Sequence, residues 1–168
     1  MASLRRTGGG APGFELELPA LEAAIVLSLP DRVEAVLTQP GKHRRLIDRL
    51  FPPSYSDPAE EREHRELLGA SMLDERKAML AAVRAALSGA PRDDRGLRLF
   101  LDARGLDQFL RFLNDLRLLL STELGIERNL SELHVDPADP DAPRYSLLVY
   151  LTGLEALLVD AVSGGDAS

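Results

Sequence analysis

The segment Leu106–Leu124, LDQFLRFLNDLRLLLSTEL, decides the fold class of this chain. At 100° per residue its apolar side chains fall in one arc that approaches half of a helix circumference. They are Leu106, Phe109, Leu110, Phe112, Leu113, Leu116, Leu119, Leu120 and Leu124. We predict an α-helix that begins near Asp102 or Ala103 and ends at Gly125. Because so much of its surface is apolar, this helix is expected at the centre of the molecule.

A second leucine-rich segment predicts the last helix, which Pro143 opens at its first position. One face carries Leu147, Leu151, Leu154, Leu158 and Val162, at intervals typical of antiparallel helix packing. Each of the two leucine-rich helices has one charge within its apolar face, Arg117 and Glu155. A buried charge without a partner is costly, so we predict that Arg117 and Glu155 form a buried ion pair. The pair is interpreted as structural, fixing the helix register; a pocket for a partner or ligand is the alternative.

Three helical segments precede these two. The first follows Pro19 and is expected to kink or break at Pro30, with apolar positions Leu21, Ile25, Leu29, Val33, Val36 and Leu37. A short helix spans about Lys42–Leu50 and ends at the Pro52-Pro53 pair. A long helix begins after Asp57, an expected N-cap, and ends at Gly89-Ala90-Pro91; its apolar stripe is Leu68, Met72, Met79, Val83 and Leu87.

The N-terminal region predicts a small β-hairpin. Leu4–Thr7 and Phe14–Leu18 flank a Gly/Pro-rich turn, and the second run alternates apolar with charged residues. A hairpin alone is marginal, so a third strand is expected, with Leu97–Leu101 as the candidate. The predicted fold is mainly α: a bundle of about five helices with an N-terminal hairpin. We expect one domain over residues 1–168, with an ordered core over about 14–162, flexible N-terminal residues and a frayed tail from Ser163 to Ser168.

Composition narrows the classes of function. The formal net charge is −7 and cysteine is absent, so the chain has no disulfide or thiol switch of its own and does not attract nucleic acid as a whole. No apolar run approaches the roughly 20 residues of a membrane span, and the first residues lack a signal-peptide core, so a cytoplasmic location is expected. Local positive charge is dense only at Lys42, His43, Arg44, Arg45 and Arg49. That run is interpreted as a solvated face, or alternatively as a contact for an acidic partner or nucleic acid.

Catalytic and metal-binding patterns are missing from the sequence. There is no Gly-x-Ser-x-Gly motif, phosphate loop or dinucleotide-binding glycine motif. Glu61 and His64 form one Glu-x-x-His motif, whereas a di-iron bundle needs two, together with two further glutamates. We therefore predict no enzyme activity, no catalytic residues, no metal site and no cofactor.

Three segments carry a resemblance to a known family. Arg49–Tyr55 reads RLFPPSY, Phe112–Leu120 reads FLNDLRLLL, and an Asp-rich loop leads into Pro143-Arg144-Tyr145. In this order they resemble the actinobacterial AosR-like family, formerly a family of unknown function, and the similarity extends from Phe14 to about Val162. The resemblance implies a cytoplasmic transcriptional regulator of the oxidative-stress response that works with a sigma factor or RNA polymerase. That family's redox sensing is associated with a cysteine pair, which this chain lacks.

We therefore expect a noncatalytic regulatory protein that acts through a protein partner. Candidate contacts are Asn114 and Asp115, expected at the rim of the fourth helix, and Arg44, Arg45 and Arg49. An adaptor in regulated proteolysis, such as one serving Clp proteases, and a direct DNA-binding regulator are the alternatives, and an uncharacterised enzyme ranks below them. No membrane partner is expected. A homodimer is a further expectation, because Tyr150 and Leu157 lie beside the main apolar stripe of the last helix.

Overall fold

The computed structural model describes residues 1–9, 12–126 and 134–164. In chain order, the elements of this part are β1 (Ser3–Thr7), β2 (Gly13–Pro19), α1 (Ala20–Ser28), α2 (Pro30–Thr38), α3 (Arg44–Leu50), α4 (Pro58–Gly89), β3 (Arg92–Asp93), β4 (Gly96–Leu101), α5 (Ala103–Glu123) and α6 (Ala142–Ser163). The fold is mainly α, as predicted. Part of the predicted Gly8–Gly13 turn and most of the predicted C-terminal tail lie outside the described residues.

The strands form one antiparallel sheet in the order β1-β2-β4-β3. Leu16 on β2 lies opposite Leu4 on β1 and Leu99 on β4, which confirms the predicted hairpin and the candidate third strand. Alternation along β2 and β4 turns five leucines into the core: Leu16, Leu18, Leu97, Leu99 and Leu101. The sheet is larger than predicted because β4 also folds back on β3, a two-residue strand without apolar side chains.

Prolines and aspartates set the ends of the helices. Helix α1 ends at Ser28 and α2 begins at Pro30, so the predicted break is confirmed. The Asp57 side chain accepts a hydrogen bond from the Ala59 backbone N–H at 3.2 Å, and Asp102 accepts one from the Gly105 N–H at 2.7 Å. These two side chains satisfy backbone donors that the first turns of α4 and α5 would otherwise leave free.

Helix α5 lies at the centre, in contact with α3, α4 and α6. One continuous core joins the inner face of the sheet to all six helices. The core includes Phe109, Phe112, Leu113, Leu116 and Leu120 of α5 together with Leu148, Leu151, Leu154 and Leu158 of α6. The two leucine-rich helices therefore pack side by side, as predicted.

Three expected core positions are wrong. Leu21 is 76% exposed, Leu68 is 46% exposed, and Val162, near the end of α6, is 44% exposed. Leu68 lies in the first half of α4, and the buried residues of that helix are all in its second half: Met79, Leu80, Val83 and Leu87. The apolar spacing of α4 therefore extends into the first half of the helix, which the other elements of the bundle do not cover.

Helix α6 corrects the expectation that no segment is long enough for a membrane span. Its 22 residues are apolar enough to cross a membrane by length and composition, a test that core helices of soluble proteins also pass. Between Tyr145 and Val159 the only charged side chain is Glu155. Four residues of α6 are buried, and most of the helix surface is not. The four are Leu148, Leu151, Leu154 and Leu158.

Candidate functional site

The loop between α3 and α4 contains the Phe-Pro-Pro-x-Tyr element and is held by the first turns of α4. The Glu61 carboxylate accepts hydrogen bonds from the backbone N–H groups of Ser54 and Tyr55, each at 2.9 Å. Arg65 donates to the Phe51 carbonyl at 2.7 Å and to Glu61 at 3.0 Å. The hydrogen bond from Tyr55, joined by those from Ser54 and Arg65, holds the pKa of the Glu61 carboxyl below its ordinary value.

The same contacts explain the Glu-x-x-His motif. Glu61 binds the loop, and the His64 ring packs edge-on against the Tyr55 ring with 5.3 Å between centroids. Within residues 1–9, 12–126 and 134–164, no three His, Asp or Glu side chains form a group that could hold a metal ion. Both motif residues thus serve to fix the loop against α4.

An ionic contact to a buried carboxylate connects two of the three sequence segments that carry the family resemblance. The Arg76 guanidinium of α4 lies over the Phe51 ring, 5.0 Å from its centroid, and forms an ion pair with Asp115 of α5. Burial raises the pKa of the Asp115 carboxyl, and the Arg76 charge only partly offsets this effect. The second carboxylate oxygen, Oδ2, is buried and accepts no hydrogen bond from the described residues.

The position of Asp115 corrects a sequence prediction. We expected it at the exposed rim of α5, but its side chain is only 2% exposed. The prediction failed because α5 is covered on two sides, by α6 and by α3 with α4. A signal was present: Asp115 lies three residues after Phe112 and four before Leu119, so it shares a helix face with two core residues.

Arg117 and Glu155 meet across the interface of α5 and α6. Arg117 Nη1 contacts the Glu155 carboxylate, and Nε donates to the Thr152 hydroxyl at 3.2 Å. The predicted pairing is confirmed, but the side chains are 31% and 21% exposed, so the pair is partly and not completely buried. Both residues lie at the edge of the packed face, where long side chains extend their charged ends toward water.

The exposed cations around α3 form what we call the α3 basic surface: Lys42, Arg44, Arg45 and Arg49. Within the described part of the chain, none of these four side chains forms an ion pair. The one acidic residue among them, Asp48, faces Arg65 at 3.9 Å. The predicted contact residue Asn114 is exposed on α5, the helix against which α3 packs.

A groove of about 440 Å³ lies between α2 and α4, lined by Leu37, Leu80, Ala81 and Ala85 with polar groups at its margin. Arg84 contributes to one side and binds Asp31 at 2.9 Å and Glu34 at 2.8 Å. The Thr38 hydroxyl at its margin donates to the Glu34 backbone carbonyl at 2.8 Å, and the Glu34 carboxylate is bound by Arg84.

Comparison with curated proteins and with solved structures gave no match. Among protein families, one model matches residues 1–162, described as Domain of unknown function (DUF2017). This match covers the sheet, the loop bound by Glu61, the Arg76–Asp115 pair and nearly all of α6. The chain belongs to the DUF2017 family.

Proposed function

We propose that this protein is a noncatalytic regulator that binds an acidic segment of a protein partner through the α3 basic surface. The observation that carries the proposal is the group of four exposed cations without carboxylate partners among the described residues, on a chain whose net charge is −7. Unpaired arginines on a surface favour carboxylate ligands, which they bind with two parallel hydrogen bonds.

The way α3 is anchored supports a binding role. Leu50 and Phe51, at the end of α3, are buried, and the Phe51 ring lies beneath Arg76. The next residues of the chain are fixed by Glu61 and Arg65. A binding surface on a short helix keeps its geometry only when its supports are rigid, and here the supports come from α4 and α5.

The resemblance to the AosR-like family supports a more specific proposal: control of transcription in the oxidative-stress response, in the cytoplasm, through a sigma factor or RNA polymerase. Because cysteine is absent, any response to oxidant would depend on the partner and not on a disulfide within this chain. Asn114 is retained as a candidate contact, whereas Asp115 is withdrawn because it is buried.

The test is affinity capture from cells that express the protein, with and without oxidant, followed by mass spectrometry. We expect the wild type to recover a sigma factor or RNA polymerase and the R45E/R49E variant to lose it. The R92E/R104E variant is the matched control, since it makes the same change in net charge at exposed arginines outside α3. Equal recovery by both variants would contradict a role for the α3 basic surface.

Other results would favour the competing functions. Recovery of Clp protease components in place of transcription proteins would indicate a proteolytic adaptor. Direct promoter binding that weakens steeply with salt and depends on Arg45 and Arg49 would indicate a DNA-binding regulator, because release of counterions from DNA makes such binding salt-dependent.

A further inference from the structure

The hydrogen bonds of β2 and β4 fix the direction in which each backbone group of the sheet points. Along an antiparallel strand, successive residues direct their N–H and C=O groups to opposite sides. The Ala20 N–H donates to the Arg95 carbonyl at 3.0 Å, in the register that pairs β2 with β4. Even-numbered residues of β2 therefore face β4, and odd-numbered residues face β1. The Arg98 N–H, which donates to the Pro91 carbonyl at 2.9 Å on the side of β3, follows the same alternation along β4.

Strand β1 lies at one edge of the sheet and carries backbone groups that face away from it. Arg5 lies opposite Glu15, an odd-numbered residue of β2, so the Arg5 backbone is bonded within the sheet. Leu4 and Arg6, on either side of it, direct one N–H donor and one C=O acceptor each to the outside. Within residues 1–9, 12–126 and 134–164, these groups have no partner. We call Leu4 and Arg6 the outer edge of β1.

The start of this strand shows how such a donor is satisfied elsewhere. The Ala2 N–H, just before β1, donates to the Glu22 carboxylate of α1 at 3.0 Å. The Tyr150 hydroxyl of α6 donates to the same carboxylate at 2.9 Å. Leu4 and Arg6, further along the strand, receive no such acceptor from the described residues. A row of unpaired donors and acceptors on a strand favours pairing with another strand.

The side chains of the outer edge indicate which strand would fit. Arg6 is exposed, its guanidinium lies 5.6 Å from the centre of the Phe14 ring, and it forms no ion pair within the described part of the chain. Arg5, on the other face of the strand, is already bound by two glutamates of β2. Leu4 shares a face with Arg6 and packs, half-buried, against the core. A carboxylate opposite Arg6 and an apolar side chain opposite Leu4 would complement this edge.

We propose that the outer edge of β1 binds an extended, acidic segment of a protein partner as an additional antiparallel strand. Backbone hydrogen bonds would supply the affinity of such a contact, and the alternate side chains would supply its specificity. A second copy of β1 fits less well, because antiparallel overlap of all five residues places Arg5 opposite Arg5 and Arg6 opposite Leu4. The homodimer expected from Tyr150 and Leu157 concerns α6 and stays a prediction.

The first test uses the peptide acetyl-Thr-Glu-Thr-Val-Thr-amide as the probe, since its Glu and Val would lie opposite Arg6 and Leu4. The peptide is titrated to millimolar concentration into the isotope-labelled full chain and followed by NMR. We expect the amide resonances of Leu4 and Arg6 to shift until they saturate, and exchange of these amide protons with solvent to slow. The Arg5 amide, which faces β2, should change little.

Two methylated peptides separate backbone pairing from charge attraction. N-methylation of the Glu residue removes the donor that would face the Arg6 carbonyl, so this peptide should lose binding. N-methylation of the central Thr is the matched control, because its N–H would face solvent and binding should be retained. Equal binding of the two methylated peptides would overturn the proposal.

The contribution of Arg6 is tested by reversing its charge. We expect R6E to weaken binding of the peptide by about fivefold or more, and a peptide with Lys in place of Glu to recover the loss. R104E makes the same change in net charge at an exposed arginine of α5 and should bind like the wild type. Circular dichroism reports whether each variant keeps its fold. Equal weakening by R6E and R104E would contradict the contact.

Three results for the wild type would also overturn the proposal. The first is the absence of a saturable shift at Leu4 and Arg6. The second is slow exchange of both amides without peptide, which would show that the chain itself covers this edge. The third is protection that increases with protein concentration, which would identify a second copy as the occupant. The R45E/R49E variant should bind the peptide like the wild type, so the outcome is independent of the proposed function.

Discussion

At Asp115 and Arg76, a carboxylate that is only 2% exposed is paired with an arginine side chain that is 24% exposed. Removing one member of such a pair leaves the other charge without its partner. We expect Asp115→Ala to lower the free energy of unfolding by about 3 kcal/mol, measured by urea denaturation. Asp107→Ala on the same helix is the control; its ion pair with Arg111 is exposed, so its cost should stay within about 0.5 kcal/mol.

An apolar replacement of both members tests whether the pair itself is needed for stability. The variant Arg76→Met with Asp115→Leu should recover most of the loss, because replacing a buried ion pair with apolar groups of similar volume is often neutral. A cost below about 1 kcal/mol for Asp115→Ala alone would contradict the view that Arg76 depends on this carboxylate.

Glu61 gives the loop after α3 a dependence on pH. Its pKa in the folded state lies below the ordinary value, so its contribution to stability is present above the unfolded pKa and is lost as the pH falls through the folded pKa. We expect the amide resonances of Ser54 and Tyr55 to shift together in that acidic range. In Glu61→Gln, NMR should show no such pH-dependent change of the two amide resonances. If the variant shows the same change as the wild type, another group causes it.

The residues of the site differ in how far the sequence could place them. Arg117 and Glu155 could be paired because each is a lone charge in an apolar face. How far the pair is buried could not be predicted, because it depends on where the contact between α5 and α6 ends. Asp115 could not be paired with Arg76, since nothing local in α4 indicates which of its arginines turns toward α5. A helical wheel gives the direction of a side chain but not the element that it meets.

At the scale of single elements, Gly96 has the most restricted backbone position. Its φ is +145°, and a Cβ there would lie 1.9 Å from the Leu18 carbonyl oxygen on β2. We therefore expect Gly96→Ala to disrupt the pairing of β2 with β4 and to destabilise the protein by more than about 3 kcal/mol, a larger loss than most single substitutions cause. Thermal unfolding and the soluble yield provide the measurement.

The matched substitution for this prediction is Gly69→Ala, in the middle of α4 with open space at the Cβ position. It should stabilise the protein by about 0.5–1 kcal/mol because alanine favours the helix. Equal effects of the two substitutions on the free energy of unfolding would show that the close contact at Gly96 does not restrict this position to glycine.

The elements themselves follow closely from sequence where side-chain periodicity is strong. Helix α5 and strands β2 and β4 have clear apolar spacing. Pro30, Asp57 and Asp102 mark the starts of α2, α4 and α5 at the expected places. Strand β3 was missed because Arg92 and Asp93 carry no apolar signal and form a strand only by pairing with β4. Leu68 was misplaced because periodicity does not reveal where the neighbouring elements stop covering a long helix.

At the scale of the whole molecule, one core cluster joins the sheet to the helices. Its parts should therefore unfold together. We expect the urea transition followed by far-ultraviolet circular dichroism to coincide with that followed by NMR signals of the leucines in β2 and β4. Two separated transitions would indicate that the sheet, or the half-exposed first part of α4, unfolds independently.

The strand order also governs how the chain can fold. Leu16 lies opposite Leu99, so the central pairing of the sheet closes a loop that contains α1, α2, α3 and α4. Closing so long a loop costs chain entropy before the contacts it brings can compensate, which slows folding. During synthesis β1 and β2 leave the ribosome before β4, and they form an isolated, marginally stable ribbon with an open edge until Leu101 has followed. For that interval, the newly made β1–β2 ribbon depends on whatever shields an unpaired strand from other nascent chains.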